Sequence, residues 1–114
     1  MSSTNLDRTL LALADPTRRR VIDLLRSKPR RAGDLAAALS VSAPRLSRHL
    51  RVLRNSGLIE GSGVEHDARV RVYRLRPERF VIVRAWLEEV EAFWAAELSA
   101  FKTHAERTRT RRRP

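Results

Sequence analysis

A mainly α-helical fold with one small β-hairpin is what this 114-residue sequence predicts, and three features carry it. Leucine, valine and aromatic residues recur at three- and four-residue steps through most of the chain, the period of a helix with one buried face. Strict two-residue alternation is confined to "RVRVYRL" (69–75) and its neighbour "LIEGSGV" (58–64). Proline, glycine and serine sit between these segments rather than inside them.

The elements follow in chain order. Residues 5–14, "NLDRTLLALA", place Leu6, Leu10 and Leu13 on one helical stripe. "DPTRRRVIDLLRS" opens a second helix with Asp15 as its N-cap and Pro16 at the first helical position, where proline loses no hydrogen bond. Val21, Leu24 and Leu25 are its expected buried face. "KPRRAG" breaks this helix through Pro29 and Gly33. A short helix follows at 34–39, then the polar turn "SVS". Ser42 can cap the next helix, Pro44 fits its first turn, and Gly57 suits the left-handed position after its end at Asn55 or Ser56. Two helices across a tight turn, the second rich in arginine, make a helix-turn-helix pattern. The two strands are joined by a tip at residues 65–68, "EHDA". One ribbon face, with Val70 and Val72, is expected to pack, leaving the face of Arg69, Arg71 and Tyr73 to present cations. From about Pro77 a long helix carries Phe80, Val83, Leu87, Val90, Trp94, Leu98 and Phe101 on one stripe, which Trp86 and Phe93 widen. The tail "RTRTRRRP" (107–114) has no apolar residue and is expected to be disordered.

Composition narrows the function. An apolar fraction of 42% with periodic leucines excludes a disordered chain, and the length suffices for one domain with its own core. No segment approaches the roughly 18 apolar residues of a membrane span, and "MSSTNLDRTL" lacks a signal-peptide core. The expected location is therefore the cytoplasm, with no membrane partner. There is no cysteine, so disulfides, thiolate metal sites and thiol nucleophiles are excluded. The net charge is +11, and it is segregated. Residues 15–79 carry +9 and the last eight carry +5, whereas residues 80–106 carry −3. Charge kept only for solubility predicts no such segregation; a polyanion such as nucleic acid does.

"SAPRLSRHLRVLRNSGLI" (42–59) concentrates this pattern. At about 100° per residue, Leu50 and Leu53 fall within roughly 40° of Leu46. Arg45, Ser47, Arg48, Arg51, Val52 and Asn55 occupy the opposite arc, with His49 at the border nearer the leucines. The seam docks the helix. The far face suits a groove about 12 Å wide, because arginine serves both bidentate guanine contacts and phosphate. A plain solvated face is the alternative; the preceding turn and following basic ribbon favour DNA readout.

The blocks "LADPTRRRVIDLL" and "SRHLRVLRNSGLI", with "DLAAALSVS" and "RVRVYRL", resemble the winged-helix transcriptional regulators of the ArsR/SmtB family over about residues 6–101. The resemblance implies a winged helix-turn-helix DNA-binding and dimerisation domain over 1–106, forming a homodimer through its first and last helices. Leu6, Leu10, Trp86, Val90, Phe93, Trp94 and Phe101 are the interface residues it suggests. It also implies a recognition helix at 42–56 and a wing at about 60–74. Carried over by position, Ser47 and Arg48 face base edges, Arg45 and Arg51 lie nearer phosphate, and Ser42, Ala43 and Arg54 complete the contact surface. Ala43 stands where many relatives have glutamine, so one polar contact is missing. Arg69 and Arg71 of the wing are expected at the backbone or minor groove. The implied activity is sequence-specific repression at a pseudo-palindromic operator in double-stranded DNA, without enzymatic chemistry.

No HExxH, phosphate-loop, GxGxxG or paired-cysteine pattern is present, and no cofactor is expected. The family's cysteine site is impossible here. Its last-helix metal site aligns with Glu91, Phe93, His104 and Arg107, so only Glu91 and His104 keep ligand character, short of the four ligands zinc wants. Three rivals remain at this level: an architectural binder indifferent to sequence, a metal- or small-molecule-responsive repressor of the same fold, and an interaction module using the last helix. The arginine tail suits either extra phosphate contacts or an inert terminus.

Overall fold

The computed structural model describes the backbone of residues 2–64 and 67–112 and the side chains of 5–63 and 71–109. Its elements run α1 (Ser2–Leu13), α2 (Pro16–Leu25), β1 (Arg30–Arg31), α3 (Ala32–Leu39), α4 (Ala43–Asn55), β2 (Ile59–Val64), β3 (Asp67–Leu75) and α5 (Glu78–Arg112). They form two compact units, Met1–Val83 and Arg84–Pro114. The division between them falls within α5.

In the first unit, α2, α3 and α4 close on the base of the sheet. Val21, Ile22, Leu25, Leu35, Leu39, Leu46, Leu50, Leu53, Leu58, Ile59 and Ala12 are buried together with Tyr73. Ile22 belongs to this core and Leu24 is only half-buried, so the buried face of α2 is turned by part of a residue step from the expected one.

The starts and stops obey local chemistry. Asp15 accepts the Arg18 N–H at 3.1 Å, satisfying one orphan donor at the start of α2. Ser42 does the same for Arg45 at 3.3 Å at the start of α4. Between α3 and α4, Ser40 takes a left-handed conformation (φ 55°), and the Val41 N–H reaches back to the Ala36 carbonyl at 3.2 Å. Gly57 (φ 78°) ends α4 in the same way, with the Leu58 N–H on the Leu53 carbonyl at 3.0 Å.

The sheet has three strands, not two, in the order β1-β3-β2, all antiparallel. β1 is two residues long and lies in a segment that reads as a helix break, too short to show any periodicity. It pairs Arg30 with Tyr73 and Arg31 with Val72, while β2 pairs Gly61 with Tyr73 and Gly63 with Arg71. The register slips between Gly63 and Val64. Tip residues 65 and 66, including His66, lie outside the described residues. The packing face of the ribbon also differs from expectation. Tyr73 is buried and Leu75 half-buried, so the core side is the one that Arg71 shares by alternation, and Val72 is half-buried on the other side.

The second unit is the remainder of α5, and the helix continues to Arg112. Residues 107–112 are thus helical where composition suggests a disordered tail. Arginine is a good helix former, and extending an existing helix avoids the cost of nucleation.

Candidate nucleic-acid interface

α4 sorts its side chains cleanly. Leu46, Leu50 and Leu53 are 1%, 2% and 0% exposed, so the seam is fully committed to the core. Arg45, Ser47, Arg48, Arg51, Val52, Arg54 and Asn55 are all exposed, as are Ser42 and Ala43 at the helix start. The helix has no acidic residue.

These arginines are uncommitted. Among the described residues, the guanidiniums of Arg45, Arg48, Arg51 and Arg54 have no hydrogen-bond or ion-pair partner within the chain. Many other cations of the basic middle are spent. Arg18 donates to the carbonyls of Ala12 (2.7 Å) and Leu11 (3.2 Å), and Arg19 to those of Leu13 (2.7 Å) and Ala14 (3.1 Å). Together they cap the last turn of α1, whose carbonyls lack helical partners and carry partial negative charge. Arg30 caps α2 in the same manner through the Leu24 carbonyl at 3.0 Å. Arg26 pairs with Asp23, Arg74 with Glu60 and Arg76 with Glu78, at 3.7, 3.9 and 3.8 Å. The run Arg18–Arg19–Arg20 reads in sequence as one basic patch. In the fold it is largely structural.

Arg71 is exposed with no partner among the described residues, whereas the Arg69 side chain lies outside them. Sequence reasoning passed over Lys28 and Arg31, both exposed. With Arg30, Asp34 and Val72 they line an open cleft of about 540 Å³ beside β1 and α3. The signal was present in "KPRR", but a helix break hides its placement.

Of the expected interface residues, Leu6, Leu10 and Val90 are half-buried and Trp86, Phe93, Trp94 and Phe101 are exposed. Leu11, not singled out from the sequence, is 69% exposed on α1. Along the second unit, Phe93 and Trp94 meet edge to face with centroids 6.0 Å apart. Glu91 and His104 lie roughly 20 Å apart along the α5 axis at 1.5 Å per residue, too far to share an ion within one chain. Among the described residues, no three histidine or acidic groups converge on a metal position, and no helix is long and apolar enough to cross a membrane.

Comparison with known proteins fixes the family. The model described as bacterial regulatory protein, arsR family, matches residues 15–60, from the α2 cap through the start of β2. The HTH-type transcriptional regulator Rv2034 of Mycobacterium tuberculosis is 35% identical over 97 residues, covering 83% of each chain. The chain belongs to the ArsR family. The crystal structure of an ArsR family transcriptional regulator superposes with a TM-score of 0.74 at 33% identity, covering 82% of this chain and 93% of that one. The transcriptional repressor SdpR of Bacillus subtilis is 42% identical over 48 residues, which is 42% of this chain and 53% of that protein. As an ArsR-family member the protein is a DNA-binding transcriptional regulator of winged-helix fold, and not an enzyme.

Proposed function

We propose that this ArsR-family regulator is a homodimeric repressor that reads a pseudo-palindromic operator with α4. The observation that carries this is the exposed α4 face: Arg45, Arg48 and Arg51, without a partner among the described residues, lie opposite a fully buried leucine seam, and Arg54 flanks it. A helix about 10–12 Å across fits the major groove, and its free arginines need break no internal bond to engage DNA. Ser47 and Arg48 contact base edges. Arg45, Arg51 and Arg54 contact phosphate near the helix, and Arg69 and Arg71 contact it through the wing. The two-fold partner binds through the first and last helices. Supporting this are the exposed Trp86, Leu87, Phe93, Trp94, Leu98 and Phe101, an apolar row that water alone would cover at a large cost. The similarity to a repressor supports repression as the outcome of binding, in the cytoplasm where the DNA lies.

Footprinting and anisotropy on the DNA upstream of its own gene, at about 150 mM salt with scrambled competitor, test this directly. The expected result is a symmetric protected site with half-sites about 10–10.5 bp apart, or a multiple of that spacing. Equal binding to scrambled duplex replaces it with an architectural, sequence-indifferent role.

A further inference from the structure

Arg18 stands where α1 ends, α2 begins and α4 passes. Besides its two bonds to the α1 carbonyls, its Nη1 lies 3.3 Å from His49 Nδ1, in the middle of α4. A guanidinium has donors only, so His49 Nδ1 must accept. A hydrogen bond here therefore requires the neutral ring with its proton on Nε2. One side chain thus connects the last turn of α1 to the half-buried edge of α4, next to Arg48.

We infer that Arg18 is a positioning residue for base reading: through His49 it fixes the rotation of α4 about its own axis, and it does so only while His49 is neutral. This rests on the proposed role of α4 as the helix that reads bases. The leucine seam holds α4 against the core, but three aliphatic side chains on one line permit small rolling. A hydrogen bond at the border of the seam is directional and opposes it. A roll of a few degrees displaces guanidinium tips by enough to spoil a bidentate contact to guanine while leaving phosphate contacts serviceable.

Protonation removes this tie. An imidazolium has no acceptor, so the bond to Nη1 is lost and two cations face each other. Among the described residues, the charged groups interacting with His49 are Arg18 from α2 and the Asp15 carboxylate at the α2 cap; α1 supplies the Leu11 and Ala12 carbonyls that hold Arg18, and its Arg8 lines the same cleft as Arg18. Asp15 attracts the protonated ring, but that attraction does not restore the directional bond between the ring and the Arg18 guanidinium. Imidazole is the side chain that changes charge between about pH 5 and 8, so mild acid is the natural probe.

The sign of the pH effect separates this role from bulk electrostatics. Adding positive charge to a DNA-binding surface strengthens sequence-independent binding. Loss of the Arg18–His49 bond instead weakens discrimination. The experiment compares operator and scrambled duplex affinities of the full chain at about pH 7.5 and 5.5. It uses the unmodified protein, His49→Asn and Arg18→Lys. His49→Asn places an untitratable amide oxygen where Nδ1 was. The expected result is that acid lowers the operator-to-scrambled ratio of the unmodified protein about tenfold. His49→Asn keeps its ratio at both pH values, and Arg18→Lys, lacking the planar fork, starts with a reduced ratio. An acid-insensitive ratio in the unmodified protein overturns the inference, as does equal acid loss in His49→Asn. Imidazole nitrogen NMR of the DNA-free protein provides the second readout. His49 as the Nε2–H tautomer, shifting in Arg18→Lys, supports the tie; a protonated Nδ1 at neutral pH overturns it. Failure of the base-reading role looks different: an operator-to-scrambled ratio near one already at pH 7.5, with the His49 tautomer as inferred.

Discussion

Tyr73 lies flat across Gly61 on the neighbouring strand: a Cβ built at Gly61 would stand 2.9 Å from Tyr73 Cε1 and 3.2 Å from Cδ1. The ring is 7% exposed and belongs to the core, so it has little room to give way. The wing is thereby fastened to the helical unit through one aromatic side chain on the central strand.

Gly61→Ala is expected to force Tyr73 out of its place and destabilise the protein by about 1–3 kcal/mol, the usual cost of overfilling a packed position. Chemical denaturation measures this. Gly63→Ala serves as the control, being exposed and opposite Arg71 rather than Tyr73. If Gly61→Ala is no more destabilising than Gly63→Ala, the ring does not fasten the wing.

The free guanidiniums of α4 should divide into two behaviours. Arg48→Ala is expected to cost about 1–3 kcal/mol and relax preference at one base position. Arg45→Ala and Arg51→Ala should weaken binding to every sequence and lower the salt dependence by about one unit each. Selection of binding sites from a random pool, with affinities measured across a salt series, tests both. A uniform loss for Arg48→Ala makes it a phosphate anchor.

Trp94 is 57% exposed in the single chain, next to Phe93 on α5. If the apolar row of α5 is covered by a second copy, Trp94→Ala weakens dimer and operator binding together, since two half-sites are then held less well. Sedimentation at several concentrations, beside the DNA assay, measures both. A dimer that persists unchanged places the interface elsewhere.

Much of this was legible in the sequence because the signals are local. Asp15 and Ser42 cap the helices expected of them, Gly57 ends α4 with positive φ, and the Leu46, Leu50, Leu53 period orients the helix. What could not be read depends on tertiary neighbours. β1 exists because β3 offers a pairing edge, and two residues carry no pattern of their own. Alternation gives two ribbon faces without saying which one packs; the close approach of Gly61 and Tyr73 decides it. Counting charges cannot separate Arg18 and Arg19, which cap α1, from Arg45 and Arg48, which cap nothing. Site selection in a basic protein therefore turns on which cations the fold has already used.

The Asp15 cap predicts a specific acid sensitivity. Its carboxyl is held below the ordinary aspartate value, chiefly by the Arg18 backbone N–H it accepts, with His49 and the Arg18 charge adding to this and partial burial opposing it. A carboxylate with a depressed folded-state pKa stabilises the fold above its unfolded value, and that contribution is lost as pH falls through the folded one. Stability from this cap is therefore present at neutral pH and lost below about pH 4. Asp15→Ala should cost about 1 kcal/mol at pH 7 and less at about pH 2, because the native cap loses its charge as pH falls through its depressed folded-state value. Asp15→Asn keeps a side-chain oxygen for the Arg18 N–H without the charge, so most of the neutral-pH stability should survive and the acid-dependent part should disappear. Thermal melts of the three proteins at the two pH values measure this. An Asp15→Ala penalty that is equal at both makes the cap's charge irrelevant to folding.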